Sequence, residues 1–294
     1  MFGSLVVVFP TFHEGGNLLL RYRGREWIFD SGNALAGAAN DRQSIGYVAF
    51  FSDIEHEVAP VTSGHRVTLT YNLYFDDGGP VSEKDAVSER LLLPRLPNQE
   101  GFYQAFKALL DNPEFMAEGG TLAFGLRHVY PIEHDLKHVH NVLKGSDVVV
   151  FQSVRALGFE PVLYVYYDDR SSHSPPAGVI VDQLPNLRDL YDFEESISHI
   201  LQNTQGGIPV CHGGETFEGC DHCAGNVETV EWVTPVTVYN RQKEALVYYG
   251  NDPSLRWAYG DVCMIVRIGK AGDRLAYPTV AQVKKAHKAR SGLV

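Results

Sequence analysis

Basic residues are the scarce class in this chain. Lys and Arg number 25 against 36 Asp and Glu, for a formal net charge of −11. A nucleic-acid binder needs a basic face to displace phosphate counterions, so no nucleic-acid partner is expected. The same shortage argues against electrostatic docking on anionic membrane. Long apolar runs are missing too, and no stretch reaches the roughly 20 residues that span a bilayer. The apolar opening from Met1 to Pro10 has no basic n-region and no small-residue cleavage site, so it is not read as a signal peptide. An intracellular, cytoplasmic location is the expectation. Cysteine is sparse, with four in 294 residues, which excludes a disulfide scaffold. Hydrophobic residues make up 44% and charged residues 21%. That is enough to bury a core and to exclude global disorder.

The length fits one large or two ordinary domains. Residues 1–78 read as closely spaced strands. Ser4 to Phe9 is a Val-rich run, Asn17 to Tyr22 follows the Gly15-Gly16 pair, and Glu26 to Phe29 follows the turn around Gly24. Ile45 to Phe51 and the alternating His65 to Phe75 complete the set. Strands bounded by Gly, Pro, Asp and Asn, with no amphipathic helix between them, predict an all-β sandwich or barrel. Residues 79–118 read as a linker followed by a helix over 101–118, with Phe102, Phe106, Leu109 and Leu110 on one face. Residues 119–294 read as an α+β region. It has strands at Gly119–Leu126, Val148–Phe151 and Pro161–Tyr167, a helix at 186–202 and a Gly-rich irregular segment at 203–226. Strands at Val227–Tyr239, Glu244–Tyr249 and Asp261–Ile268 close it. The fold class is therefore mainly β with an α+β second half.

The segment from Phe50 to Tyr71 carries the chemistry. His56 ends one strand, Pro60-Val61 and Gly64 form a short connection, and Arg66 opens the next strand ten residues later. Neighbouring strands can then turn an imidazole and a guanidinium into one barrel mouth. An imidazole there suits Fe(II), and a guanidinium suits bidentate capture of a carboxylate.

These residues resemble the 2-oxoglutarate/Fe(II)-dependent dioxygenases, in the prolyl 4-hydroxylase-like branch found in many fungal proteins. There a distal metal His is followed by Pro-Val, a Gly and a basic residue, as in His56, Pro60-Val61, Gly64 and Arg66. Gly3 to Pro10, His13 to Leu18, Gly119 to His128, Leu143 to Asp147 and Tyr249 to Asp252 also resemble segments of that branch. The resemblance implies a double-stranded β-helix, or jelly roll, of which residues 1–78 are a part. It implies an oxidoreductase with Fe(II) as metal, 2-oxoglutarate as cosubstrate and ascorbate as an optional reductant. His56 would be the distal iron ligand and Arg66 the anchor of the far carboxylate. The hydroxylated substrate would be a protein side chain or a small molecule.

The family's other two ligands come from a His-x-Asp or His-x-Glu motif, and none of the 12 His residues has a carboxylate two positions on. The expectation is a fragment or incomplete form of such an enzyme that does not hold iron tightly. The alternative is a non-catalytic binding or scaffold protein derived from one.

Plainer readings stand beside these. His56 can be a structural strand-end imidazole, and Arg66 can pair on the surface with Asp53, Glu55 or Glu57, which is worth little. His13 and His65 read as ordinary polar positions. Cys211, Cys220, His222 and Cys223 crowd one Gly-rich stretch and could clip a zinc ion, giving an interaction module. The usual second Cys pair is missing, so a redox-labile pair or exposed thiols are equally open and zinc is not the expectation. The Tyr164–Tyr167 run reads as sheet core, and the acidic stretches as solvated faces.

Overall fold

A computed structural model describes residues 1–22, 24–36, 44–74, 98–132, 135–168, 178–185, 187, 196–213, 227–248, 254–279, 281–283 and 285. The chain is mostly β, as the strand-like runs predict. It divides into two compact units, Met1–Leu92 and Leu93–Val294.

The first unit contains β1 (Gly3–Val8), β2 (His13–Gly15), β3 (Leu18–Tyr22), β4 (Arg25–Phe29), α1 (Ser31–Ala36), β5 (Gly46–Phe51), β6 (Glu55–Val58), β7 (Val61–Gly64) and β8 (Thr68–Leu73). β1 lies between β5 and β8, antiparallel to both. β3 lies between β4 and β6, again antiparallel. β2 pairs with β7 through an irregular register. The strands are short because Gly, Pro and Asp interrupt them, and their β-branched residues alternate. Val6 and Val8 are buried on one face of β1, while Leu5 and Val7 are less so. Gly64 has φ +74, and a Cβ there would lie 2.2 Å from the Phe12 carbonyl oxygen, so this close β2–β7 approach requires glycine.

The second unit contains α2 (Gln99–Asp111), β9 (Gly120–Gly125), α3 (Gly145–Ala156), β10 (Val162–Asp168), β11 (Gly178–Val181), α4 (Ile197–Gln205), β12 (Ile208–His212), β13 (Glu228–Thr234), β14 (Arg241–Tyr248) and β15 (Ser254–Ile268). Six of its strands close a barrel in the order β10-β11-β12-β13-β9-β15, since β15 also pairs with β10; β14 adds to β15 outside that ring. One alternation, including Tyr164, Tyr166, Ile208, Val210, Cys263 and Ile265, packs into a small cluster of its own. The other alternation packs with Phe106 and Leu110 of α2, Phe151 and Val154 of α3, and Ile200 and Leu201 of α4. With the helices on that second face, the smaller cluster fills the barrel interior. The interior also holds an ion pair, Arg267 to Glu228 at 2.9 and 3.1 Å, with the Tyr164 hydroxyl 3.0 Å from Arg267 and Thr121 bonded to Glu228. Each buried polar group there has a partner, as low dielectric demands.

Three expectations need correction. Val148–Phe151 is helical, inside α3, although three valines favour a strand. Asp147, Phe151 and Val154 recur at helical spacing and are buried, and tertiary burial overrides propensity. Ile208–His212, placed in the irregular segment, is strand β12; Gly206, Gly207 and Pro209 disguise it. On α2, Leu109 is exposed, while Phe106 and Leu110 are buried. That helix packs into the core of the second unit. Most of the expected linker lies outside the described residues.

Candidate functional site

β6 carries His56 and pairs with β3 so that Leu20 stands opposite it; on the other side Leu20 stands opposite Trp27 of β4. His56, Leu20 and Trp27 therefore share one row on one face. Glu55, Glu57 and Glu26 point to the opposite face, where Arg21 meets them at 3.4, 3.0 and 2.6 Å. The His56 ring lies 4.9 Å from that of Phe50. Its Nδ1 is 3.1 Å from the Ile54 carbonyl oxygen. A carbonyl can only accept, so Nδ1 donates here, and in the neutral ring Nε2 is then the nitrogen open to a ligand.

Arg66 lies between β7 and β8 and is half-buried. Its Nε and Nη2 are shut from solvent and have no hydrogen-bond partner. The carboxylates of Glu55 and Glu57, offered above as surface partners for it, are held by Arg21 instead. Nε and Nη2 form the side edge of the guanidinium, and the molecule shows what that edge binds. Arg241 presents the same two atoms to Asp261 at 2.8 Å each, and Arg267 presents them to Glu228. Arg241 is raised by its hydrogen bond to Asp261, and Arg267 is raised by Glu228 despite its burial. Arg66 alone among these three is lowered, because burial acts on it with no carboxylate to oppose it. An unpaired guanidinium edge taken out of water is costly, and a bound carboxylate would satisfy it.

A glycine seats this guanidinium. Gly16 has φ +68, and a Cβ there would lie 2.7 Å from Arg66 Cδ and 3.0 Å from Val61 Cγ2. Gly16 lies in the turn just before β3, and Leu20 in the middle of β3 stands opposite His56, so Arg66 and His56 each adjoin the same β2–β3 segment. Nothing local in the sequence marks this contact, because it links residues 50 positions apart. Gly16→Ala is expected to destabilise the first unit by about 1–2 kcal/mol from left-handed strain alone, and to displace Arg66 as well. Gly24→Ala is the control: its φ is +72 with nothing within 4 Å, so it carries the strain without the contact. Thermal melts of the two variants should show the larger loss for Gly16→Ala; equal losses would remove Gly16 from the site.

His13 is buried rather than an ordinary polar position. Its Nδ1 is 2.8 Å from the Thr11 carbonyl oxygen and its Nε2 is 2.9 Å from Ser31 Oγ, so it ties β2 to the start of α1. His65 is exposed. Cys211 is buried in β12, its Sγ 3.5 Å from Thr229 Oγ1. Cys220, His222 and Cys223 lie outside the described residues.

Among the described residues, no group of three or more His, Cys, Asp or Glu is placed to hold a metal ion. They offer iron one imidazole, where a mononuclear site of the expected kind needs two and a carboxylate, so they do not fit that metal unaided. No helix among them is long and apolar enough to cross a membrane. No family model, curated protein or solved structure matches the chain.

Proposed function

We propose that this chain carries the cosubstrate-holding part of an Fe(II)/2-oxoglutarate-dependent dioxygenase of the prolyl 4-hydroxylase-like kind, on part of a double-stranded β-helix. The observation that supports the reading best is the Arg66 edge, buried, unpartnered and identical in its donors to two edges that grip carboxylates elsewhere in the molecule. The far carboxylate of 2-oxoglutarate supplies the two acceptors that edge lacks. His56, with Nε2 free, is the one metal ligand this part offers. The pairing of β1 with β5 and β8, and of β3 with β6, sets strands distant in sequence side by side, which supports the jelly-roll part of this reading. In this reading the chain's own residues hold and orient the dicarboxylate; the oxidation itself belongs to a metal that these residues do not complete.

A second reading, a non-catalytic dicarboxylate-binding protein derived from such an enzyme, is favoured by the contrast between a ready guanidinium edge and an incomplete donor set. Calorimetric titration of the metal-free full chain with 2-oxoglutarate tests what both share, and saturable binding is expected. Succinate release on adding Fe(II), 2-oxoglutarate and O₂ would select the enzyme; binding unaffected by Fe(II), with no succinate, would select the binder. No binding at all would remove both.

A further inference from the structure

Strand β15 outruns the barrel. Within the ring, Gly260 to Ile268 pair with β10 or β9; from Ser254 to Tyr259 the only described partner is β14. The two strands therefore form a ribbon that leaves the ring. Ala258, on one face of it, is buried in the larger core, while Trp257 and Tyr259 on the other face are 44% and 47% exposed. β14 turns Arg241, Lys243 and Ala245 to that open face, opposite Asp261, Tyr259 and Trp257. The Lys243 Nζ lies 3.8 Å from the centre of the Trp257 ring and 5.9 Å from that of Tyr259, and the Arg241 guanidinium lies 5.7 Å from Tyr259. Arg241 pairs with Asp261, whereas no described carboxylate meets Lys243. Along all eight residues of β14, no described strand pairs with its outer edge. An unpaired row of N–H and C=O groups is a template for one more strand, and a two-stranded ribbon is one strand short of a self-supporting sheet.

We infer that β14 takes up an extended acidic segment of a partner chain as a third strand, with Asp or Glu at alternate positions set against Arg241 and Lys243. The backbone edge prescribes an extended chain, because only a strand satisfies its donors and acceptors in register. The two cations prescribe the side chains. Residues facing each other on neighbouring strands have Cβ atoms about 5 Å apart, so carboxylates two positions apart on the added strand reach both cations. A second copy of β14 does not fit. Two copies paired antiparallel about a twofold axis bring like faces together, and Arg241, Lys243 and Ala245 offer no carboxylate to one another. A lysine on an edge ordinarily repels added strands; here it selects among them, rejecting basic segments and accepting acidic ones.

The probe is a short labelled peptide in which Glu and Thr alternate, titrated with the full chain by fluorescence anisotropy at low salt. Saturable binding is expected, with none for the same peptide carrying Lys in place of Glu. Two further peptides are N-methylated at every second residue, one in each phase. One of them should lose binding, because its methyl groups face β14 and block the backbone pairing, while the other should keep it. Lys243→Glu, checked for folding by circular dichroism, should weaken binding about fivefold or more, and Lys243→Gln by less. Arg66→Ala should leave it unchanged, which separates this edge from the carboxylate site of the first unit. No binding overturns the inference, as does binding that neither Lys243 variant weakens. Equal binding of both N-methylated peptides also overturns it, because charge alone would then hold the peptide. So does self-association of the chain that the acidic peptide fails to displace, because a second copy would then be the occupant.

Discussion

Asp147→Ala is expected to lower the stability of the second unit by about 3–5 kcal/mol, a large part of the 5–15 kcal/mol that holds a typical domain folded. The Asp147 carboxylate, in the first turn of α3, accepts the backbone N–H of Arg127 at 3.0 and 2.8 Å and that of His128 at 3.1 Å. It also accepts the Tyr130 hydroxyl at 2.7 Å. Asn240 continues the network, donating to the His128 carbonyl and accepting from the Tyr130 N–H. Burial pushes the Asp147 carboxyl up, and the Tyr130 hydroxyl and these N–H groups oppose that rise. Alanine would remove from a buried site the acceptor that these three donors share, at about 1–3 kcal/mol for each bond lost before relaxation. Urea unfolding followed on the second unit checks this: the midpoint should fall with the slope unchanged. Asp147→Asn, which keeps one acceptor oxygen, should fall between alanine and the native chain. A loss under 1 kcal/mol for alanine would mean that water reaches these donors.

Arg66→Ala is expected to weaken 2-oxoglutarate binding to the metal-free chain roughly 100-fold or more. Two charge-assisted hydrogen bonds are lost at about 1.5–3 kcal/mol each, and 1.4 kcal/mol is a factor of ten. Arg66→Lys should recover only part of the affinity, because an ammonium cannot present the paired edge. Folding should not suffer, since Nε and Nη2 of Arg66 bond nothing in the chain. Isothermal calorimetry gives both affinities. An affinity within threefold of the native value in Arg66→Ala would place the dicarboxylate elsewhere.

The parts of this molecule that could be read from sequence are those written in local pattern. The Val-rich run predicted β1 almost residue for residue, and the alternation from His65 onward predicted β8. His56 and Arg66 could be singled out because their ten-residue spacing across a Pro/Gly connection is itself local. The seat that Gly16 makes for Arg66 was hidden, since it joins distant residues. So was the closure of the barrel, where β10 meets β15 about a hundred residues later. The segment from Leu143 to Asp147 drew notice, but no pattern tells that its aspartate reaches back to Arg127, His128 and Tyr130. Arg274 is a further case. Beyond the last strand, its guanidinium donates to the carbonyls of Leu110, Asn112, Phe115 and Met116, and so closes off the end of α2. Helix α3 misled for the opposite reason, because its local signal was strong and the packing overruled it.

The central claim is that the Arg66 edge takes a carboxylate without help from a metal. The arginine Nε–H resonances of the ¹⁵N-labelled, metal-free chain test it most directly, recorded while 2-oxoglutarate is added. The account predicts that one Nε–H signal, missing from Arg66→Ala, moves saturably to lower field as it acquires an acceptor, while those of Arg241 and Arg267 stay fixed on Asp261 and Glu228. If no Nε–H signal moves, or if the one that moves survives in Arg66→Ala, Arg66 does not hold the cosubstrate and the reading built on it fails.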